Sequence, residues 1–268
     1  MSQPVFSSFK MGRNDSSGKL KMVPTLMNDP KFTTEPPPLV VDRSHLTPQF
    51  KMFYNDTIGN CTCAAVYNSM IAWQALIGSS IAIPEILAVE LYSAVTGYTP
   101  DNPSTDQGAA EDDVLAYGVR TGYATRNYLY TPMWGTIDSG NINLMASAVA
   151  KFGVAYQGVF MRRGDMELLD AGKPLEVVPG MDMSIAGGHA LLILSYEGLR
   201  PNDRVQLITW GTLITATWEW VLARSIESHG LFFPQLMSPA HRKLLGLDLD
   251  ALRDQTKAFL SGNQMVSS

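Results

Sequence analysis

Hydrophobic period divides this chain in two, and the two patterns do not mix. Val66, Met70, Trp73 and Ile77 recur at spacings of four, three and four, one face of a helix that opens near Asn60 and stops at Gly78. A second helix is expected from Pro84, in an N1-like position, through Leu87 and Leu91 to Gly97. A third runs from Gly108 to about Thr121, with Glu111, Asp112 and Asp113 in the first turn, where acids suit the helix dipole, and Gly122 as its stop. Asn143 to Phe152 reads as a fourth. Beyond residue 152 the period falls to two, and strands are predicted over Val154–Met161, His189–Tyr196, Val205–Trp210 and Thr215–Val221. Helices first and strands second predict an α+β fold, a helical half packed on a largely antiparallel sheet, rather than alternating βαβ units.

Three regions follow. Residues 1–50 are broken by prolines and carry no sustained period, yet Phe6, Phe9, Leu26, Phe32, Leu39, Val40 and Val41 are too apolar for a simple linker. They read as an extended, Pro-rich arm that docks, on its own domain or on a neighbouring subunit of an oligomer or assembly. Residues 51–240 form the main domain, and 241–268 a closing helix over Asp248–Leu260 with a frayed tail.

Composition narrows the function classes. Lys plus Arg number 20 against 25 for Asp plus Glu, without a block of like charge, which excludes a binder of nucleic acid that works through clustered basic residues. The longest apolar run, Met70 to Gly78, is about half of the roughly 20 residues of a membrane-spanning helix. The N-terminus lacks the basic-then-apolar build of a secretory signal, so synthesis in the cytoplasm is expected, with a virion as one destination. Cys61 and Cys63 stand too close for an ordinary disulfide and are read as free thiols.

The chemistry concentrates in Asn55-Asp-Thr-Ile-Gly-Asn-Cys61-Thr-Cys63, a polar turn that delivers a thiol into the first turn of a long helix. Helix-start N–H groups and the dipole lower a thiol's pKa and can later hold an oxyanion. Gly187-Gly188-His189 supplies the best base, on the apolar strand Leu191–Leu194. His45, His229 and His241 lie in irregular or polar contexts and read as surface residues. A Cys-x-Cys metal half-site lacks a second ligand pair, and no cofactor is implied.

Gly59-Asn60-Cys61-Thr62-x-Ala64-Ala65, then Asp106-Gln107-Gly108-Ala109, Leu115-x-Tyr117, Gly122-Tyr123, Ala146-x-Ala148, Gly153-Val154, Gly188-His189-Ala190 and Thr209-Trp210-Gly211-Thr212, resemble in order the landmarks of the papain-like cysteine peptidase superfamily. The wording is nearest to diverged bacterial and bacteriophage members. The resemblance spans about residues 50–235. It implies Cys61 as nucleophile, His189 as general base and Asn55, six residues before Cys61, as the oxyanion-hole amide; measured from Cys63 the same offset reaches Thr57, so Cys61 is preferred. Two departures stand out. Ile208 occupies the position of the family's histidine-orienting Asn, leaving Thr209, Thr212, Asp182 or Gln206 as substitutes, and Thr62 replaces the aromatic that follows the nucleophile. No propeptide is evident.

Two functions are therefore expected. One is a cysteine hydrolase, peptidase or amidase, acting on a peptide or amide through a Cys-His dyad; transglutaminase-like and NlpC-like amidases share its Cys-before-His order. The other is a non-catalytic structural subunit of a virion or similar assembly that binds neighbours through the arm.

Overall fold

The computed structural model describes residues 4–15, 24–46, 48–236 and 249–264. Helices α1 (Pro30–Thr34), α2 (Cys61–Leu76), α3 (Ile86–Thr96) and α4 (Glu111–Thr121) precede the main sheet, and α5 (Ile142–Phe152) follows its first strand. Two shorter ones, α6 (Arg163–Asp170) and α7 (Trp218–Arg224), interrupt it, and a closing helix spans Leu249–Gln264. Short strands β1 (Arg13–Asn14) and β2 (Ala109–Ala110) pair in parallel, and β3 (Tyr123–Ala124) pairs with β4 (Leu129–Tyr130). The main sheet is antiparallel throughout its described strands: β5 (Met133–Ile137), β6 (Ala155–Arg162), β7 (Ile185–Tyr196), β8 (Arg204–Thr209), β9 (Thr212–Thr217) and β10 (Ser225–Phe232), in the order 5-10-6-7-8-9. The expected α+β layout holds.

Helix α2 joins the two halves. It packs on β7 and on α3, and burial continues on every side from Cys61 to Met70. The sequence shows one apolar face only, because small and amide side chains such as Ala64, Ala65 and Asn68 fill the other contacts. A helix enclosed all round is a central pillar rather than a surface element. Around it the core is closed by Trp134, Trp218, Trp220, Tyr156 and Phe152, the last stacked on Phe232 with ring centroids 4.9 Å apart.

The described parts of residues 1–50 lie against their own chain. Pro30 opens α1 instead of blocking it: Pro at N1 gives up a donor the helix does not use, and the Asp29 carboxylate accepts from the N–H groups of Lys31 and Phe32 at 2.8 and 3.1 Å. Phe32 is fully buried against Phe152. Val41 exchanges two backbone hydrogen bonds with Tyr196, and the buried Arg43 guanidinium donates to the carbonyls of Val149, Gly153 and Leu194. Leu39 and Val40 stay exposed.

Local differences from the sequence reading have plain causes. The predicted strand 215–221 ends at Thr217, whose hydroxyl accepts from the Trp220 N–H at 3.2 Å and starts α7. The helix expected from Gly108 begins at Glu111 because Ala109 and Ala110 are held in β2. Strands β5 and β10 escape a period-two search because Gly135 weakens one, and the other buries Ser228 and His229 where apolar residues are expected. The expected frayed tail from Ser261 is helical to Gln264, and residues 265–268 lie outside the described residues, as does His241.

Candidate active site

Cys61 is the first residue of α2. The first helical bonds run from the N–H groups of Cys63 and Ala64 to the Asn60 carbonyl at 2.9 and 3.0 Å, so the N–H groups of Cys61 and Thr62 lie ahead of the helical ladder. Both cysteines are free and buried. Burial pushes the Cys61 thiol up to about 11, against hydrogen bonds from the backbone of Gly12, Ala190 and Thr62 that favour the thiolate. The helix start alone implied a lowered value; in this conformation the loss of water outweighs the dipole. Cys63, deeper still, is pushed beyond the ordinary range by the same burial.

His189 enters on β7, next to the Ala190 whose backbone meets the Cys61 sulfur. It is fully buried, and burial drives its imidazole down to about 3. Its Nε2 lies 2.5 Å from the Thr209 hydroxyl, while Nδ1 has no hydrogen-bond partner among the described residues. With Nε2–H donating to Thr209, Nδ1 is the nitrogen left to accept a proton. Thr209 is thus the residue that meets the imidazole, whereas Ile208 beside it is buried in the core opposite Leu192. Trp210, in a positive-φ conformation, stacks on the imidazole at 4.1 Å and fixes its plane. Sequence spacing left Thr209 among several substitutes, and nothing in it marked Trp210 as the covering ring.

Asn55 is buried in the turn before α2, and its Nδ2 donates to the Ile58 carbonyl at 3.2 Å, a bond local to that turn. The turn is tied to the rest of the site by Asp106, whose carboxylate accepts from the Gly59 N–H at 3.0 Å and from the Tyr92 hydroxyl at 2.8 Å. The Tyr92 oxygen in turn accepts from the Gly108 N–H at 2.7 Å.

Between these walls runs the segment Lys10–Asn14. The Gly12 carbonyl accepts from the Ala109 N–H at 2.8 Å, Asn14 Nδ2 donates to the Gln107 carbonyl at 2.8 Å, and Trp210 Nε1 donates to the Lys10 carbonyl at 3.3 Å. The backbones touch. A Cβ on Gly12 would overlap the Gly59 carbonyl, one on Gly108 would overlap the Gly12 carbonyl, and one on Gly188 would overlap the Arg13 carbonyl. The cleft that holds Cys61 and His189 is therefore filled by the chain's own N-terminal strand, a contact that no motif in the sequence announced.

A second polar cluster adjoins it. Glu111 of α4 and Glu227 and His229 of β10 converge, with His229 Nε2 3.3 Å from Glu111 and 3.7 Å from Glu227. His229 is 1% exposed, not the surface residue its polar sequence context suggested, because β10 turns that context inward. His45, by contrast, is exposed as expected. Glu111, expected only to complement the dipole, is fully buried.

No protein-family model and no curated protein sequence matches the chain. Solved structures do. Xylellain, a cysteine protease from Xylella fastidiosa, superposes with a TM-score of 0.61 at 14% identity, covering 84% of this chain and 96% of its own. Digestive procathepsin L 3 from the larval midgut of Tenebrio molitor gives 0.57 at 13%, over 85% and 77%. Procathepsin B S9 from Trypanosoma congolense gives 0.56 at 10%, over 84% and 86%. These superpositions cover more than four fifths of the chain, and the likeness is one of fold: the chain has the papain-like fold.

Proposed function

We propose that this protein is a papain-fold cysteine hydrolase, a peptidase or amidase, acting through Cys61 and His189. One observation carries the reading: a thiol at the first residue of a buried helix meets the backbone of the residue after a histidine whose other ring nitrogen is already engaged by Thr209. His189 Nδ1 would take the thiol proton, the Cys61 sulfur would attack the scissile carbonyl, and the N–H groups at the start of α2 would stabilise the oxyanion. Proton return from His189 to the leaving amine and hydrolysis of the thioester complete the cycle. Asn55 would add its remaining amide hydrogen to the oxyanion.

The conformation described is a resting one. Lys10–Asn14 fills the cleft, and burial keeps thiol and imidazole neutral. Activity calls for that segment to leave. The test is turnover of a quenched-fluorescence peptide library by the full chain and by Gly12→Val, whose Cβ would collide with Gly59. We expect Gly12→Val to cleave faster, and Cys61→Ala in either background to be inert. Thiol-independent turnover, or none in any background after the segment is shown to have moved, removes the hydrolase reading. The alternative of a structural subunit clasping neighbours draws less support, since the described parts of residues 1–50 occupy their own chain.

A further inference from the structure

Helix α2 is enclosed on every side only as far as Met70. Beyond it, Ile71, Gln74 and Ala75, one face at spacings of three and one, line a cavity of about 540 Å³ that is closed by residues around His45 and Lys51 and by the segment 79–83. The cavity lies about 20 Å along the helix axis from Cys61, outside the cleft.

Two donors in its wall are fixed in place. Gln74 is 6% exposed, and its Oε1 accepts from the Ile81 N–H at 2.7 Å, which orients the amide; its Nε2 has no hydrogen-bond partner among the described residues. A buried N–H without an acceptor is unfavourable, and a ligand that supplies one removes the penalty. Lys51 Nζ donates to the Ile83 carbonyl at 2.7 Å and keeps its other two N–H groups, with no carboxylate paired to it among the described residues. Its backbone is clamped to α2, the N–H donating to Asn68 Oδ1 and the carbonyl accepting from Asn68 Nδ2, both at 3.0 Å. The anchors Ile81 and Ile83 stand two residues apart, at most about 7 Å, the scale of one small oxyanion with its hydrogen bonds.

The remaining wall has two characters. None of the described lining residues is acidic, in a chain with 25 acidic residues against 20 basic ones, and His45, Ser79 and Ser80 add polar groups at the exposed rim. Leu46, Pro48, Ile71, Ala75 and Ile81 make the rest aliphatic.

We propose that this cavity is a binding site for the C-terminal carboxylate of a short apolar peptide, the carboxylate lying between Lys51 Nζ and Gln74 Nε2 and the terminal side chain against Ile71 and Ala75. Surplus donors without an acid select an anion. The aliphatic wall selects one with an apolar body, which free phosphate lacks, and the volume is that of a small-molecule site. The polar rim favours a peptide over an alkyl chain, since peptide groups can use its hydroxyls. The site is separate from Cys61 and His189, so the proposal stands whether or not the chain is a hydrolase.

Binding tests it, in the full chain with Cys61→Ala to prevent cleavage. The probes are N-acetyl-Leu-Leu and its C-terminal amide, titrated by calorimetry and followed by ¹⁵N NMR, where the Gln74 side-chain NH₂ signal is assigned by its loss in Gln74→Glu. We expect the acid to bind about tenfold more tightly than the amide and to shift that signal. Lys51→Met should erase the ratio. Gln74→Glu, which keeps an acceptor for Ile81 and turns the N–H into a carboxylate oxygen, should reverse it. Equal affinity for acid and amide, a ratio that survives both substitutions, or binding that leaves the Gln74 signal unmoved overturns the proposal. Sodium octanoate binding as tightly as the peptide acid would replace the peptide with an acyl chain, and inorganic phosphate displacing the peptide at equal concentration would remove the apolar half; either overturns the assignment. Should a variant fail to melt cooperatively, the acid-to-amide ratio and the Gln74 signal in the unaltered cavity decide.

Discussion

Two histidines, each fully buried and each beside the same N-terminal strand, are driven in opposite directions. His189, next to a hydroxyl and a stacked indole, has nothing to offset the loss of water and falls to about 3. His229 loses water too, but the carboxylates of Glu111 and Glu227 raise it to about 10. Burial by itself disfavours charge; burial between two anions enforces it. The first environment holds the imidazole neutral, and the second holds it charged between carboxylates. The strand connects them, Gly12 meeting the Cys61 sulfur and Arg13 the Glu227 carboxylate.

The largest effect should come from breaking the shared burial. Gly12→Val should lower the Cys61 thiol from about 11 toward the free value of about 8.5 and raise its alkylation by iodoacetamide at neutral pH on the order of a hundredfold. Mapping of the label should find Cys61 ahead of Cys63. Unchanged labelling would mean that the strand does not cause the closed state.

Next is the hydrogen bond that sets the His189 tautomer. Thr209→Val should cut kcat of any active form by about tenfold to a thousandfold, with Thr209→Ser retaining most of it, since loss of the orienting group in comparable triads costs up to about 10⁴. The reverse substitution, Ile208→Asn, restores a family residue at a position now known to face the core. We expect it to lose about 1–3 kcal/mol in urea unfolding through the buried amide, and not to raise turnover. A gain in turnover would show that position 208 reaches the imidazole after all.

The smallest effect sharpens the other histidine. Because His229 is raised from 6.5 to about 10, its contribution to stability is complete below pH 6.5 and is lost as pH climbs through 10. Glu227→Gln should lower the His229 titration seen by NMR and flatten that alkaline decline. A His229 that titrates near 6.5 in the wild type would break the contrast between the two buried histidines.

What could be read along the chain was whatever depends on neighbours in sequence. The 3.6 and 2.0 periods separate the helical from the sheet half, the Gly-Asn turn places Cys61 at a helix start, and Gly188-His189 on an apolar strand singles out the candidate base. Tertiary structure alone decided the rest. Thr209 rather than its alternatives meets the imidazole because strand register, not spacing, sets which hydroxyl lies across from β7. Glu111 and His229 look like ordinary surface residues locally, and become a buried ion pair only when α4 and β10, more than a hundred residues apart, close on each other. Arg13 carries no local signal at all, for its meaning lies in the carboxylates that its strand reaches once the sheet is assembled. Local sequence encodes backbone preference and burial pattern; pKa, pairing and access are properties of what the folded chain brings alongside and of the water it removes.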